Sequence, residues 1–348
     1  MKIIYFWGTP PPPIGGMTVH IERLAYHLSK KKWKIIFFNF SNYTHNLEFV
    51  KKINNLLFWY FSLFFLNKKS IHYVITTRTS IRFLASLLVL SGQKVILREG
   101  GRDLQKSSKS SFILNFINIL SLKLCTNFIG VNKDICDFAK KYKSEKKVFH
   151  INGFIYPPNL DTLPPDEIIS FFGDSKLRFV TSGQIVSSSE EDIHGLWSII
   201  PLVKSLTKKN IDIKLCLVSY NYGKDNTSYR NEYKKLINDQ GISKNILFYH
   251  SNIQLWPILK YSNFFIRSAI TDGDSNAVRE ALVFNNTVFC SDCVERPKYC
   301  ITYKTNDNDD LVDKILTFIE SGSKKNKNIN FSKNEDKIEN LLTNLNTN

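Results

Sequence analysis

Short, almost wholly apolar runs alternate with helical patterns along nearly the whole chain of 348 residues. Trp33–Phe40 is nearly continuous in apolar residues, as a strand buried on both faces of a parallel sheet is. Before it, apolar residues recur through Gly15–Leu28 with the spacing of a helix that has one buried face. Alternation of this kind predicts an α/β fold with parallel sheets and crossover helices.

The pattern predicts two successive sets of strands. The strands are expected at Lys2–Trp7, Trp33–Phe40, Tyr73–Thr76, Lys94–Leu97, Asn127–Val131, Lys147–Ile151, Leu177–Ser182, Ile213–Ser219, Asn245–Tyr249, Asn263–Arg267 and Thr287–Cys290. Between the sets, Pro157-Pro158 and Pro164-Pro165 form a linker signature. The prediction is a first domain over 1–155, a second over 156–325, and a polar stretch with a final helix over 326–348 that returns to the first domain. Each domain is doubly wound, the two face each other across a cleft, and ligands bind at the carboxyl ends of the strands.

The charge is unevenly distributed between these halves. The chain carries a net +16, but residues 1–160 hold 24 Lys and Arg against 7 Asp and Glu, whereas residues 161–348 hold 23 against 24. Hydrophobic residues at 43% and charged residues at 22% exclude a wholly disordered chain or a fibre. The basic half raises the alternative of a nucleic-acid-binding protein. No recognition helix or aromatic-basic sheet motif supports it, so no nucleic acid is expected as a partner.

An apolar, aromatic segment at Leu56–Leu66 lies between Lys51-Lys52 and Lys68-Lys69. Eleven helical residues span about 16 Å, too little for a hydrocarbon core of about 30 Å. Two interpretations stay open for this segment, a buried core helix and a helix lying in a lipid interface.

The six cysteines are few for the length, and the chain's start has no signal-peptide pattern, so a reducing cytoplasm is expected. Cys290 and Cys293 have the spacing of half a zinc site or a redox pair. Because no second pair has a matching spacing, buried or loop thiols are the favoured interpretation.

The segment from Arg267 to Leu282 follows a predicted strand and opens a helix. Free N–H groups at the start of that helix favour a bound anion. Asp272 lies on the loop and Glu280 about one turn inside the helix, so carboxylates flank the anion site and can grip hydroxyl groups. A phosphate between hydroxyl-bearing groups is a nucleotide sugar. The alternative is that Asp274 or Ser275 only caps the helix and that Glu280 is an exposed helix residue.

This segment resembles the E-x7-E motif of retaining glycosyltransferases with the GT-B fold, specifically the large family 4. Asp272 and Glu280 give D-x7-E, and the run from Glu280 to Val288 is similar to the family's E-A-x-A-x-G-x-P-V. Asn285 replaces the glycine of that run and is the next-best residue for a left-handed helix end. The loop Ser291–Pro297 resembles the one by which many of these enzymes continue.

Other stretches extend the resemblance over most of the chain. Gly15-Gly16 resembles the family's N-terminal glycine loop, and His150-Ile-Asn-Gly153 the P-N-G that ends its first domain. Thr181–Ile185 and His194-Gly195-Leu196 stand where the family has G-R-L and K-G-L. These two matches are also departures, because Gln184 and His194 replace the Arg and Lys that clamp the donor's diphosphate.

Other cations must therefore substitute, since stabilising the leaving diphosphate is the main task of a metal-free site. The candidates are Arg98, Arg102, Arg267, Arg279 and a protonated His194. An alternative for Arg98 and Arg102 is an ordinary salt bridge with Glu99 or Asp103. A non-catalytic, sugar-nucleotide-binding relative is the alternative that the two departures raise for the whole protein.

The resemblance implies transfer of a sugar from a nucleotide-diphosphate donor to an acceptor hydroxyl, with retention of anomeric configuration, and with no metal or cofactor. Asp272-Gly273-Asp274 has the spacing of a metal-binding D-x-D, but the D-x7-E register favours sugar binding. The catalytic set is Asp272, Glu280, Arg98, Arg102 and His194. The donor-binding set is Gly16, Gly183, Gln184, His250, Gly273, Asp274, Ser275, Asn276, Ala277 and Arg279. The acceptor-binding set is Gly15, His20, Gly100 and Gly101.

In this family the first domain binds the acceptor. Its basic charge implies a lipid-linked or phosphorylated saccharide acceptor and an anionic membrane surface, to which each nearby Lys or Arg contributes about 1 kcal/mol. The expected role is bacterial surface polysaccharide assembly, O-antigen or capsule, by a cytoplasmic enzyme associated peripherally with the inner face of the membrane.

Overall fold

The computed structural model describes residues 2–39, 50–52, 60, 70–101, 104–105, 111–186, 190–220, 227–322, 329 and 331–347. The chain divides into two compact units. Unit 1 comprises Met1–Pro158 and Lys333–Asn348, and unit 2 comprises Asn159–Ser332. The division therefore falls at 158/159 and 332/333, where the sequence predicted 155/156 and 325/326.

Unit 1 is built on a parallel sheet of seven strands in the order β3-β2-β1-β4-β5-β6-β7. The strands are β1 (Lys2–Trp7), β2 (Trp33–Asn39), β3 (Val50–Lys52), β4 (Ile71–Ile75), β5 (Lys94–Glu99), β6 (Asn127–Gly130) and β7 (Val148–His150). The helices between them are α1 (Gly16–Lys30), α2 (Thr79–Leu87), α3 (Phe112–Leu124) and α4 (Lys133–Lys140). Separate apolar clusters lie on the two faces of this sheet, as a doubly wound fold requires. Leu56–Leu66 lies outside the described residues except for Tyr60.

A final helix, α11 (Asn334–Thr347), completes unit 1 from the far end of the chain. Ile338 and Leu342 are fully buried in the apolar cluster that covers one face of the seven-stranded sheet. At the start of the helix, Asn334 Nδ2 donates to Asn152 Oδ1 at 2.6 Å and to Phe154 O at 2.8 Å. The helix therefore belongs to the core of the unit that begins the chain.

Unit 2 has a parallel sheet of six strands in the order β10-β9-β8-β11-β12-β13. The strands are β8 (Arg178–Gly183), β9 (Lys214–Ser219), β10 (Ile246–His250), β11 (Phe264–Arg267), β12 (Thr287–Ser291) and β13 (Cys300–Tyr303). The helices are α5 (Asp166–Phe172), α6 (Ile199–Lys208), α7 (Thr227–Asp239), α8 (Trp256–Tyr261), α9 (Asn276–Val283) and α10 (Asn308–Glu320). Within the described ranges, none of the helices is both long and apolar enough to cross a bilayer.

Candidate active site

The strand order of unit 2 reverses between β8 and β11, which are neighbours in the sheet. The chain runs outward to β9 and β10 from one side of this junction, and to β12 and β13 from the other. Loops leaving neighbouring strands at such a point diverge and open a crevice, where α/β sheets bind their ligands. The predicted donor residues lie at the carboxyl ends of these two strands: Gly183 ends β8, Gln184 follows it, and Gly273–Ala277 follow β11.

The loop between β8 and α6 is fitted tightly against the end of β11. Gly195 has φ +65°, and a Cβ there would lie 2.0 Å from the carbonyl oxygen of Ser268. Ser268 Oγ donates to the carbonyl oxygens of His194 and Gly195 at 3.1 and 2.9 Å. A Cβ on Gly183 would lie 2.8 Å from His194 Cβ. The glycines therefore allow this loop to bring His194 directly against the ends of both strands.

Asp192 organises the same loop. Its Oδ2 accepts from the backbone N–H of Trp197 at 2.7 Å, and the N–H of Gly195 donates to its carbonyl oxygen at 2.9 Å. Tyr233, a buried residue of α7, donates to Leu196 O at 2.7 Å. Neither Asp192 nor Tyr233 was predicted from the sequence, although an acidic residue shortly before a His-Gly pair is a signal for such a turn.

Asp272 lies between two arginine side chains. Its Oδ2 accepts from Arg267 Nε at 3.1 Å and from Arg296 Nη1 at 3.0 Å, and its Oδ1 accepts from the N–H of Gly273 at 3.1 Å. Burial acts to raise the pKa of Asp272, but the two guanidinium charges and their hydrogen bonds outweigh burial and lower it. The three ionised side chains carry a net charge of +1, so the site attracts an anion.

The two arginines differ in how fully they are bonded. Arg296, with 3% of its side chain exposed, uses Nε and both terminal nitrogens on Ser291, Asp272 and Cys293. Arg267 directs Nη1 to Ser182 O at 3.3 Å, and this atom is also 3.5 Å from His194 Nδ1. Its Nη2 has no hydrogen bond within the described part of the chain. Arg267 therefore keeps a donor for a ligand, while Arg296 fixes Asp272.

The sequence predicted that His194 carries a proton when it faces the donor's diphosphate. Burial, and then the nearby charge of Arg267, lowers the pKa of His194 to about 4, while Asp272 acts in the opposite sense. The ring is therefore neutral at neutral pH. The guanidinium group of Arg267 lies beside the ring, with Nη1 3.5 Å from His194 Nδ1, and places a fixed positive charge at the end of β11.

The start of α9 has the cap that the sequence left open as an alternative. Ser275 Oγ accepts from the N–H of Val278 at 3.4 Å, and Asp274 receives Arg279 Nε on its two oxygens at 2.9 and 3.0 Å. Asn276 and Ala277 form the first turn beside this cap. Glu280 is buried, so the alternative interpretation of Glu280 as an exposed helix residue is wrong. Asn285, just after the helix, has φ +60°, as predicted for the residue in place of glycine.

Two other predicted donor residues lie on the carboxyl side of the sheet. Gln184 follows β8 and is partly exposed, and His250 ends β10. Burial, and then the charge of Arg230, lowers the pKa of His250. Among the described residues, neither Gln184 nor His250 forms a hydrogen bond with the loop that carries Asp272.

The predicted residues of the first domain lie in unit 1. Gly15 caps α1, and its N–H donates to Thr18 Oγ1 at 2.9 Å, while Gly16 is the first helical residue. Gly100 and Gly101 follow β5, and a Cβ on Gly100 would be 3.4 Å from Met17. The two glycine pairs are therefore adjacent, on the side of the seven-stranded sheet where the carboxyl ends of its strands lie.

The structure is at odds with the acceptor role predicted for His20. Its side chain is almost fully buried, Nδ1 is 2.8 Å from Gly153 O, and Nε2 is 3.0 Å from Tyr73 Oη. Both ring nitrogens are thus occupied within the protein. Burial, followed by the charge of Arg98, sets the pKa of His20 well below its usual value, so the ring is a neutral bridge between α1, β4 and the segment after β7.

Arg98 is buried, and its Nη1 donates to Ile151 O at 3.2 Å. No salt bridge joins Arg98 to Glu99 in the described part of the chain, where Arg82 Nη1 lies 3.5 Å from Glu99 Oε2. Arg102 and Asp103 lie outside the described residues. Among the arginines of the sequence prediction, Arg267 is the one that adjoins Asp272, and Arg279 is paired with Asp274.

The sequence did not predict a contact between Arg296 and the cysteines. Arg296 Nη2 is 3.3 Å from Cys293 Sγ, while Cys290 is buried at the end of β12. The two therefore agree with the loop and buried thiols that the sequence favoured. Arg296 was inside the loop recognised by its resemblance, and a lone arginine there gave no further signal.

Comparison with known proteins identifies the fold. No protein-family model matches the chain. TarM superposes with a TM-score of 0.70 at 11% identity, covering 100% of this chain and 99% of TarM. HepE of Anabaena in complex with UDP gives 0.69 at 12% identity, covering 100% and 98%. The fold is GT-B. The prediction from sequence is thereby confirmed at the level of the GT-B fold.

One curated protein is similar in sequence to part of the chain. An uncharacterised glycosyltransferase of Methanocaldococcus jannaschii is 26% identical over 142 residues, which is 41% of this chain. The matched stretch spans 32%, about a third, of that archaeal protein.

Proposed function

We propose that the protein is a retaining, metal-independent glycosyltransferase of the family 4 type, which transfers a sugar from a nucleotide-diphosphate donor to a saccharide hydroxyl. The observation that carries the proposal is the arrangement around Asp272. At the point of strand reversal, Asp272 and the start of α9 lie beside Arg267, the last residue of β11, and Arg296, which follows β12. Asp272 and the two arginines together carry a net positive charge. The HepE structures with UDP and UDP-glucose support this class of ligand.

Arg267 replaces the cations that Gln184 and His194 do not supply. Its Nη2 has no protein partner among the described residues, its Nε is fixed by Asp272, and its Nη1 is fixed by Ser182. A guanidinium held in this way is organised before the ligand arrives, so it stabilises the charge that develops on the departing diphosphate without reorganisation. The resemblance implies that Asp272 holds the donor sugar, but here its carboxylate is bonded to Arg267 and Arg296 and positions them. Glu280 binds the ribose of the donor, as the resemblance implies.

Pairing with arginine supports a reaction that needs no metal. Both carboxylates of the Asp272-Gly273-Asp274 segment are bonded to guanidinium groups, Asp272 to two and Asp274 to Arg279. A divalent cation at this segment would have to displace these arginines and would meet their charge. The cation that neutralises the diphosphate is therefore a side chain.

The acceptor is lipid-linked, and the enzyme works at the cytoplasmic face of a membrane in surface polysaccharide assembly. Support comes from α3, whose exposed face is apolar: Phe112, Ile113 and Phe116 are 85%, 67% and 59% exposed. On its other face Asn118, Ser121 and Leu122 are buried. A helix with an exposed apolar face in the basic half of the chain fits a lipid surface that is apolar inside and anionic outside.

Binding of nucleotides to the Arg267→Gln variant tests the donor site. Wild-type protein is titrated calorimetrically with UDP, GDP and ADP and their glucose conjugates, and at least one pair is expected to bind. Loss of a charge-assisted hydrogen bond of about 1.5–3 kcal/mol should weaken binding ten- to a hundredfold in Arg267→Gln. Arg178→Gln is the matched control. Arg178 begins β8 and contacts Asn263 at the amino ends of the strands of the same sheet, away from the proposed donor site.

Transfer is then measured with a saccharide acceptor and the donor that binds, and the anomeric configuration of the product is determined by NMR. Equal nucleotide affinity in Arg267→Gln and Arg178→Gln would contradict the assignment of Arg267. Binding without either transfer or donor hydrolysis would favour the alternative, a non-catalytic sugar-nucleotide-binding protein, which the neutral Gln184 and His194 raise. Binding of random DNA with no binding of nucleotides would favour a nucleic-acid-binding protein.

A further inference from the structure

A histidine and two carboxylates converge between α1 and α11, within unit 1. His27 lies in the last turn of α1, and Asp336 and Glu339 are three residues apart near the start of α11. His27 Nε2 is 3.2 Å from Glu339 Oε2 and 3.6 Å from Asp336 Oδ1. The three atoms all lie within 4.8 Å of one another, and each side chain is partly exposed. Nothing in the proposed sugar transfer uses this group.

These spacings suit a tetrahedral metal ion. Zinc holds nitrogen and oxygen ligands at about 2.0–2.2 Å, which separates neighbouring ligand atoms in a tetrahedron by roughly 3.4 Å. The distances of 3.2 and 3.6 Å from His27 Nε2 lie on either side of this value. Partial exposure leaves room for water as a fourth ligand. An imidazole among the ligands favours zinc or a similar transition metal over magnesium or calcium, which take oxygen ligands.

A buried carboxyl oxygen beside the cluster points to a cation independently. Glu335, next to Asp336, is only 6% exposed, and its Oε2 has no hydrogen-bond partner within the described part of the chain. Lys31 Nζ lies 4.0 Å from Glu339 Oε2, so this lysine is already within ion-pair distance of one of the two carboxylates. An imidazole binds a metal in its neutral form.

We propose that His27, Asp336 and Glu339 form a structural site for a zinc-type divalent cation that fastens α11 to α1. The bound ion replaces the direct contacts of His27 with the two carboxylates. Because Ile338 and Leu342 of α11 fill the core of unit 1, holding this helix in place stabilises the whole unit. The ion serves the fold of unit 1 and takes no part in sugar transfer.

Zinc titration of the full chain tests this site. Protein treated with a chelator and kept reduced is titrated with ZnCl2 by calorimetry, and its melting temperature is followed with and without zinc. We expect one equivalent to bind and the melting temperature to rise. His27→Gln and Glu339→Gln should each weaken this binding by at least about tenfold, since even supporting partners of a metal site contribute ten- to a hundredfold.

Two sets of controls make the outcome decisive. His150→Gln alters a histidine that lies elsewhere in unit 1, and should leave zinc binding unchanged. Cys293→Ser and Cys300→Ser should also leave it unchanged, although free thiols are the commonest competing zinc ligands. Cobalt in place of zinc should give the intense visible absorption of tetrahedral coordination. Absence of zinc binding to the wild type, binding that survives both His27→Gln and Glu339→Gln, or loss of binding only in the cysteine variants would overturn the proposal.

Discussion

The central residue of the candidate site, Asp272, is already bonded on both oxygens. Arg267, Arg296 and the N–H of Gly273 take up its carboxylate, so its part in the proposed reaction is to position cations. The two guanidinium charges lower the pKa of this carboxyl, so it stays ionised at neutral pH and holds both guanidinium groups. The single open donor of the group is Arg267 Nη2 within the described residues.

His194 gives the site a testable dependence on pH. Its pKa is about 4 in the folded protein and about 6.5 in an unfolded chain, so the unfolded state binds an extra proton between these values. Stability is therefore complete above pH 6.5 and falls as the pH falls. From pH 7 to 4.5 this residue should cost about 2–3 kcal/mol of unfolding free energy.

Urea denaturation at pH 7 and 4.5 measures the effect. His194→Gln should lose less stability than the wild type over this interval, whereas the control His150→Gln, altered at an exposed position of unit 1, should lose as much. Identical losses in the wild type and His194→Gln would show that the ring titrates normally.

The conformation and contacts of some site residues were predictable from their neighbours in the sequence, and those of others were not. The left-handed conformation of Asn285 and the cap at Ser275 depend on neighbours within a few positions, and both were visible in the sequence. The contact of Arg296 with Asp272 joins residues 24 positions apart through the turn after β12, and no local pattern encodes that distance. The low pKa of His194 likewise depends on burial against the end of β11, which is distant from it in the sequence.

At the scale of elements, the strand pattern was predictable because parallel strands that are buried on both faces have nearly continuous apolar sequences. Predicted strands such as Ile213–Ser219 differ from the observed Lys214–Ser219 by one residue. The short β3 and β13 were not predicted, since Val50–Lys52 and Cys300–Tyr303 have only three and four residues. Both are outermost in their sheets, where burial places fewer demands on sequence.

The loop between β8 and α6 offers a matched pair of glycine substitutions. Gly195 and Gly241 have nearly equal φ values of +65° and +67°, but a Cβ at 195 would collide with Ser268 O, whereas nothing lies within 4 Å of one at 241. Gly241→Ala should cost about 1 kcal/mol from backbone strain alone. Gly195→Ala should cost at least about 2 kcal/mol more, because the loop must move away from β11.

Chemical denaturation of the two variants measures this difference. Gly195→Ala should also weaken nucleotide binding, since the displaced loop carries His194 away from Arg267. Equal stabilities for the two variants would contradict the close fit of this loop.

At the scale of the whole molecule, the charge asymmetry and the exposed face of α3 predict binding to anionic vesicles. Phe112→Ser, Ile113→Ser and Phe116→Ser combined should abolish flotation with phosphatidylserine vesicles, because apolar area and charge act together. Leu160→Ser with Leu163→Ser, which removes exposed apolar residues of unit 2, is the control and should float as the wild type does. Flotation of the triple variant at wild-type levels would exclude α3 as the contact.

The return of α11 to unit 1 has a consequence for biosynthesis. A ribosome delivers the chain from its amino end, and domains generally fold in that order as they emerge. Here the seven-stranded sheet emerges first, but the core over one of its faces lacks Ile338 and Leu342 until all of unit 2 has been synthesised. Unit 2 is continuous and can be completed earlier. During translation the first unit to start is therefore the last to finish, and its open apolar face is the surface that a chaperone at the ribosome would meet.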